Sequence, residues 1–381
     1  MIEVFVPDIE CRHSVQWFFA ILAYAMSDIP KTLCYIGIYR ALAPRDKVYI
    51  EELKRRGAVI FECVSSAAGL EKYREIWRSV RRAARESDFV WVGYLSVFAV
   101  PVAYLATRKK IVYNALGSAY EGYILDRQIA SKYSLKALFF WVADFIAFHL
   151  ADTVLVESES QKRYLGKQFL VPRSKLQVIF TGVDDSIFHP DSSTKKQEIF
   201  TVAFRGMFIP ATGVEIVLEA AKLLKNEPVR FWISGWGQLR DKVHHYIDTH
   251  KLTNVELNTM FLQPDELRRR MLSAHVMLGQ FSKNFRLDRT IQHKTSEALA
   301  LGMPYITRDS ASNRELLQDG ENCLFVAPAD ARALADKILW AKKNPDVLQK
   351  IGMNARATYE KKLAPTVLGE EVWKVLESLK V

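Results

Sequence analysis

Two short stretches carry side chains suited to holding a nucleoside diphosphate. In the first, Arg286, Arg289, Lys294 and Glu297 lead into a segment that ends at Gly302-Met303-Pro304. Lys294 and Glu297 stand three residues apart, so on a helix both project from one face. A cation beside a carboxylate matches a ligand that is anionic at one end and offers ribose hydroxyls at the other. The alternative at this spacing is an exposed ion pair, worth under about 1 kcal/mol. The second stretch is Phe204-Arg205-Gly206 at a strand end, followed by a loop to Gly213, where a helix begins. A glycine there lets backbone approach a ligand, and a helix N-terminus presents unpaired N–H groups to phosphate. Arg205 adds a permanent positive charge. The alternative is an ordinary strand–glycine–helix turn.

These residues need a scaffold, and the apolar pattern supplies one. A chain of 381 residues exceeds the usual single-domain length, so two domains are expected. In the first half IEVFVPD, TLCYIGI, AVIFECV, FVWVGYL, KIVYNAL, TVLVES and LQVIFTGV read as strands, with amphipathic stretches at 48–57 and 71–87 between them. After Pro190 the polar segment DSSTKKQE reads as a linker, and strand–helix alternation restarts at TVAFRG. Expected helices there cover 214–225, 239–250, 264–273, 294–301, 313–318 and 330–343, with a last one at 365–380. The fold class is therefore α/β, with two Rossmann-like doubly wound parallel-sheet domains facing a cleft. We place the first domain at residues 1–190, the second at 199–363, and a C-terminal helix at 364–381 packing back toward the first. Ligands in such sheets sit beyond the strand C-terminal ends, so the cleft between the domains is where they are expected.

No GxGxxG turn, P-loop, GxSxG elbow or HExxH occurs, so a dinucleotide cofactor is not expected. Cys11, Cys34, Cys63 and Cys323 are scattered, which argues against a zinc site or disulfide framework and for thiols in a reducing compartment. Glu3, Asp8 and Glu10 interrupt what a secretory signal needs, so a cytoplasmic protein is expected. The longest apolar run, from Leu135 to Val156, contains Asp144, His149 and Asp152, and reads as a buried amphipathic helix followed by a strand rather than a membrane span.

The net charge of +10 divides evenly at Pro190, with one local concentration at Lys72, Arg74, Arg78, Arg81, Arg82 and Arg85. The five arginines share a helix face. That face is either simply solvated or a contact for a membrane surface or an acidic acceptor, the cytoplasmic side of the inner membrane being the natural place for such a contact. Nothing in the pattern calls for nucleic acid.

Thr181–Pro190, reading TGVDDSIFHP, resembles the motif that ends the N-terminal domain in retaining GT-B glycosyltransferases of family 4. The segment from Gly206 to Gly213 with VEIVLEAAKLLK, then VRFWISGWGQLRD, VELNTMFLQPDELRRRMLSAHVML and SEALALGMPYITRDSASNRELLQDGENCLFV, follow in that family's order. The likeness runs from about Lys109 onward. LGQFSKNFRLDRTIQHKTSEALALG is similar to a subgroup with an LG-x-F segment and an Asn-Lys pair, here His293-Lys294, and Ser118, Tyr120, Asp126 and Arg127 match its Ser-x-Tyr-Asp…Asp-Arg stretch.

The resemblance implies transfer of a sugar from a UDP-, GDP- or dTDP-sugar to a glycan or lipid-linked acceptor, with retention and no metal. Glu297 is implied to bind the ribose and Lys294 the diphosphate, with Gly206, Thr212, Gly213, Arg286 and His293 around them and Met260 and Phe261 cupping the base. Lys294, Arg205 and Arg289 are the expected catalytic cations, and Ser118, Tyr120, Asp126 and Arg127 the acceptor side. The chain departs from the family at Arg289, where the earlier of two glutamates is usual, and at Met207 and Thr212, where the first donor loop usually has Arg and Lys. A sugar-nucleotide epimerase and a non-catalytic sugar-nucleotide scaffold are the competing readings.

Overall fold

The computed structural model describes residues 31–38 and 42–379. The expected strand IEVFVPD, the acidic residues near the start and Cys11 lie outside them. Six parallel strands form the first sheet: β1 (Thr32–Gly37), β2 (Val59–Val64), β3 (Phe89–Val92), β4 (Lys110–Leu116), β5 (Thr153–Val156) and β6 (Leu176–Val178). Their order is β2-β1-β3-β4-β5-β6. FVWV and TVLV are buried along their whole length, as expected of central strands covered on both faces.

Helices α2 (Gly69–Ala83), α3 (Ala99–Ala106), α4 (Leu135–Leu150) and α5 (Glu159–Gln168) share one core with one face of this sheet, using Ile76, Val80, Val100, Ala103, Phe148 and Leu165. Helix α1 (Pro44–Arg55) covers the other face. Pro44 opens α1 at the position where a missing N–H costs nothing, which starts the helix four residues before the expected boundary.

The second sheet comprises β7 (Phe200–Arg205), β8 (Val229–Ser234), β9 (Val255–Asn258), β10 (Val276–Leu278), β11 (Tyr305–Arg308) and β12 (Leu324–Val326), in the order β12-β11-β10-β7-β8-β9. All pairings are parallel. The chain enters at β7, works outward to β9, then returns to pair β10 against β7. That reversal leaves a crevice beyond the carboxyl ends of β7 and β10. Around the sheet lie α6 (Val214–Leu223), α7 (Arg240–His250), α8 (Pro264–Ser273), α9 (His293–Ala300) and α10 (Ala331–Lys343). Residues 313–318 form only a single 3-10 turn, Asn313–Glu315.

Helix α11 (Pro345–Lys362) is absent from the sequence-based expectation, and α12 (Pro365–Ser378) follows it. Leu368, Val372 and Leu376 of α12 pack with Tyr49, Leu53 and Trp91 of the first domain. Lys31 lies 3.6 Å from the Trp373 ring and 3.3 Å from Glu377. The chain thus crosses between the domains twice.

Candidate active site

The crevice at the reversal point of the second sheet is filled from three directions. Strand β7 delivers Arg205 and Gly206, the 3-10 turn Pro210–Thr212 leads into α6, and α9 projects His293, Lys294 and Glu297 inward. Gly213 carries φ +70°, and a Cβ there would stand 2.5 Å from the Ser282 nitrogen, so both conformation and space require glycine. A Cβ on Gly206 would lie 2.7 Å from Lys294 Nζ, so this glycine leaves room for the ammonium.

Glu297 is fully buried. Its Oε1 meets the Arg205 guanidinium and lies 3.0 Å from His293 Nδ1. Burial alone would raise this carboxyl, but Arg205 and His293 overcome burial and hold it at about 2. Its Oε2 has no hydrogen-bond partner among the described residues, and neither has His293 Nε2. Two buried polar atoms are therefore left for a ligand to satisfy. Lys294 is 6% exposed, with Nζ 3.5 Å from the Gly279 carbonyl and 4.0 Å from the Phe204 ring centroid. Burial pulls its ammonium down to about 7, with Glu297 resisting and Arg205 adding to the shift. An arriving anion would restore the charge.

This crevice opens into a cleft of about 380 Å³ that both domains line. Arg205, Gly206, Thr212, Arg286, His293 and Lys294 face it from the second domain. Ser118, Asp126 and Arg127 face it from the first, together with Arg45, Tyr94 and Glu157, which the sequence reading missed. Glu157 is 1% exposed, and its Oε1 is unpartnered among the described residues. Burial pushes its carboxyl up to about 8 against the pull of Arg286 and Arg45.

Other expected site residues are spent differently. Arg289 does not line the cleft: it pairs with Glu121 of the first domain at 2.7 Å and stacks 3.8 Å over the Tyr164 ring. A buried carboxylate therefore neutralises the residue expected as a catalytic cation. Arg286 Nη1 likewise pairs with Asp126 at 2.5 Å while still facing the cleft. Arg205 is bound to Glu297 rather than free. Met260 and Phe261 sit exposed on the loop after β9, outside the cleft lining. Tyr120 does not line it either, although its backbone N–H donates to Asp144 at 2.7 Å. The Ser118 hydroxyl lies 3.2 Å from Glu121 Oε2, and that of Thr212 donates to the Ile209 carbonyl at 2.8 Å.

Residues 185–358, spanning the whole second sheet and the Lys294–Glu297 helix, match the family model described as Glycosyl transferases group 1. The second domain is thus similar to the glycosyl transferases group 1 family. WcaL of Escherichia coli (strain K12), assigned as a colanic acid biosynthesis glycosyltransferase, is 26% identical over 215 residues, 55% of this chain and 52% of that protein. The capsular polysaccharide biosynthesis glycosyltransferase CapM of Staphylococcus aureus is 22% identical over 260 residues, 64% of this chain and 65% of that one. The chain thus spans half to two thirds of the length of the curated relatives it matches.

Solved structures extend the likeness to both domains. Anabaena HepE in complex with UDP-glucose superposes with a TM-score of 0.70 at 16% identity, covering 91% of this chain and 99% of that one. Sucrose-phosphate synthase from Thermosynechococcus elongatus gives 0.74 at 15%, covering 92% and 99%. At such identities the likeness defines the fold. Two parallel six-stranded Rossmann-like sheets that superpose on these structures over about nine tenths of the chain make this a GT-B architecture.

Proposed function

We propose that the protein is a retaining glycosyltransferase of family 4 that moves a hexosyl group from a UDP-, GDP- or dTDP-sugar to a hydroxyl of a glycan or lipid-linked acceptor, in the cytoplasm. One observation carries this reading: Lys294 and Arg205 line the cleft at the crevice where the second sheet reverses, with Glu297 buried against Arg205 behind them and the first domain closing the other side. The Glu297 carboxylate accepts from the ribose hydroxyls through its unpartnered Oε2. The diphosphate lies against Lys294 and the backbone at Gly206 and Gly213.

The difficult event is departure of the nucleoside diphosphate, which gathers negative charge as the sugar carbon becomes cationic. Fixed cations aimed at that charge are the main lever. Lys294 supplies one, and Arg205, already oriented by Glu297, supplies another. Arg286 holds Asp126 at the mouth of the acceptor side. The bond from the sugar carbon to the phosphate oxygen breaks, and the acceptor oxygen bonds the same face of that carbon. The acceptor proton passes to an oxygen of the leaving diphosphate. No protein side chain forms a covalent intermediate in this scheme.

Thermal-shift screening against UDP-, GDP- and dTDP-sugars tests donor binding, since a ligand of the folded state raises apparent stability. Nucleotide release in the presence of acceptor tests transfer. Lys294→Ala lowers release by orders of magnitude while the fold persists; unchanged release removes Lys294 from the reaction. A second reading, a sugar-nucleotide-binding scaffold, is favoured by the engagement of Arg289 with Glu121 at the site of the usual family glutamate. It predicts a thermal shift without nucleotide release.

A further inference from the structure

Helix α4 turns an apolar face to solvent as well as to the core. Its acidic residue, Asp144, is fully buried and accepts from the backbone N–H groups of Ala119 and Tyr120 at 2.9 and 2.7 Å. Leu135, Leu138, Phe139, Val142 and Ile146, recurring at three- and four-residue steps, form an outward stripe. Leu135 is 85% exposed and Phe139 57%. The sequence-based expectation of a buried helix is corrected here: the segment is apolar on both sides, so its period does not say which side meets the sheet.

The stripe does not stand alone. Phe98 at the start of α3 stacks on Phe139 with ring centroids 5.6 Å apart, and α3 adds exposed Tyr104 and Leu105. The loop before α4 adds exposed Ile129 and Tyr133. Helix α2, packed beside α3, presents Leu70 and Trp77. Contiguous apolar surface of this kind marks an interaction site.

Its flanks are basic. Arg74, Arg78, Arg81, Arg82 and Arg85 of α2 are exposed, as are Lys132 and Lys136 beside the stripe. Glu71 takes up part of the charge of Arg74 and Arg78, while Arg81 lies 4.8 Å over the Trp77 ring and Lys132 4.9 Å from that of Tyr133. Apolar side chains with Trp and Tyr among them and cations at the margins are the composition of a surface that lies in a lipid–water interface.

We infer that the outer face of α2, α3 and α4 docks on an anionic lipid bilayer. Among the described residues no helix is long and apolar enough to cross a membrane, so the contact is interfacial. The charge complement selects anionic headgroups over a neutral apolar partner. The platform also reaches the cleft, because Phe98 and Tyr123 line it while stacking on Phe139 and Phe140 of α4. An acceptor anchored in the bilayer would therefore enter without leaving the surface; this last consequence rests on the proposed transfer reaction, whereas docking does not.

The test is flotation of the full chain with phosphatidylcholine vesicles, alone or with about a third phosphatidylglycerol, at low and high salt. The protein should float with the anionic vesicles and less with the neutral ones. Leu135→Ser/Leu138→Ser/Val142→Ser should weaken that binding about tenfold. Arg78→Gln/Arg81→Gln/Arg82→Gln should abolish the preference for anionic lipid, and stands in if the serine variant does not fold. Wild-type protein that floats with neither vesicle at low salt overturns the inference, as does binding that neither variant weakens. A dimer that the serine variant dissolves overturns it too, giving the stripe to a second copy. Flotation needs no sugar donor, so its failure leaves the transfer reaction untouched.

Discussion

Arg289 of the second domain and Glu121 of the first lie 2.7 Å apart although 168 residues separate them in the chain. Gln161 Nε2 donates to the other Glu121 oxygen at 2.7 Å, and Tyr164 covers the guanidinium. With Arg286–Asp126 the pair joins the two domains, so two charged contacts hold them in this arrangement. Pairs so desolvated respond asymmetrically to mutation: loss of one partner strands the other.

Glu121→Ala should therefore destabilise the protein by about 3 kcal/mol, measured by denaturant unfolding. Glu121→Ala/Arg289→Ala should cost less than the sum of the single changes, because the stranded charge is gone. Additive losses would show that the pair is not coupled.

Donor affinity should depend on pH through Lys294. Burial leaves its free-state ammonium at about 7, and a bound diphosphate stabilises the charged form and raises that value. Below pH 7 the lysine is already protonated and affinity is full. Above it, binding must take up a proton, so affinity falls by up to about tenfold per unit until the bound-state value is passed. Calorimetry in buffers of different ionisation enthalpy should show proton uptake near pH 8; no uptake there would mean that Lys294 does not meet the phosphates.

Glu297 should be sensitive even to an isosteric change. Glu297→Gln keeps the shape but removes the charge facing Arg205 and His293. Nucleoside diphosphate affinity should fall by about 1–3 kcal/mol, the cost of a lost charged hydrogen bond. Binding of inorganic pyrophosphate, which lacks a ribose, should fall less, through the loosened Arg205 and the lost support for the Lys294 charge alone. Equal losses for both ligands would place Glu297 away from the pentose.

Glu157 is expected to act on the acceptor side. It faces the cleft from the first domain, with a carboxyl raised to about 8 by burial and thus protonated near neutrality. Glu157→Gln preserves a neutral donor–acceptor group and should leave donor affinity and most turnover intact. Glu157→Leu should raise the acceptor KM about tenfold, from one lost hydrogen bond. A changed donor affinity with unchanged acceptor KM would contradict that placement.

The alternation of strands and helices was legible because fully buried parallel strands are short continuous apolar runs, as in FVWV and TVLV. Lys294 and Glu297 were legible as neighbours because helical spacing is local. The partners of Arg286 and Arg289 were not, since Asp126 and Glu121 reach them only through the fold. The same holds for Cys34 and Cys63, whose sulfurs stand 3.4 Å apart across paired strands. Glu157 passed unnoticed because its strand end carries no motif; a carboxylate directly after four buried residues was the available signal. Helix α11 was overlooked because no strand follows it, although Pro345 at its first position and buried Leu348, Ile351, Ala355 and Tyr359 give it a helical period.

The two passages of the chain between domains lie side by side. Val183 and Phe188 of the outgoing passage share a core with Ala355, Tyr359 and Leu363 of the returning one, and a Cβ on Gly182 would stand 2.5 Å from Leu368 Cδ1. A single flexible tether would let the halves twist and slide. Two adjacent tethers leave one easy motion, rotation about the line through them, and forbid exchange of a half between molecules without unthreading α12. Opening of the cleft by that rotation must part Arg289–Glu121 and Arg286–Asp126, the ion pairs that join the two domains.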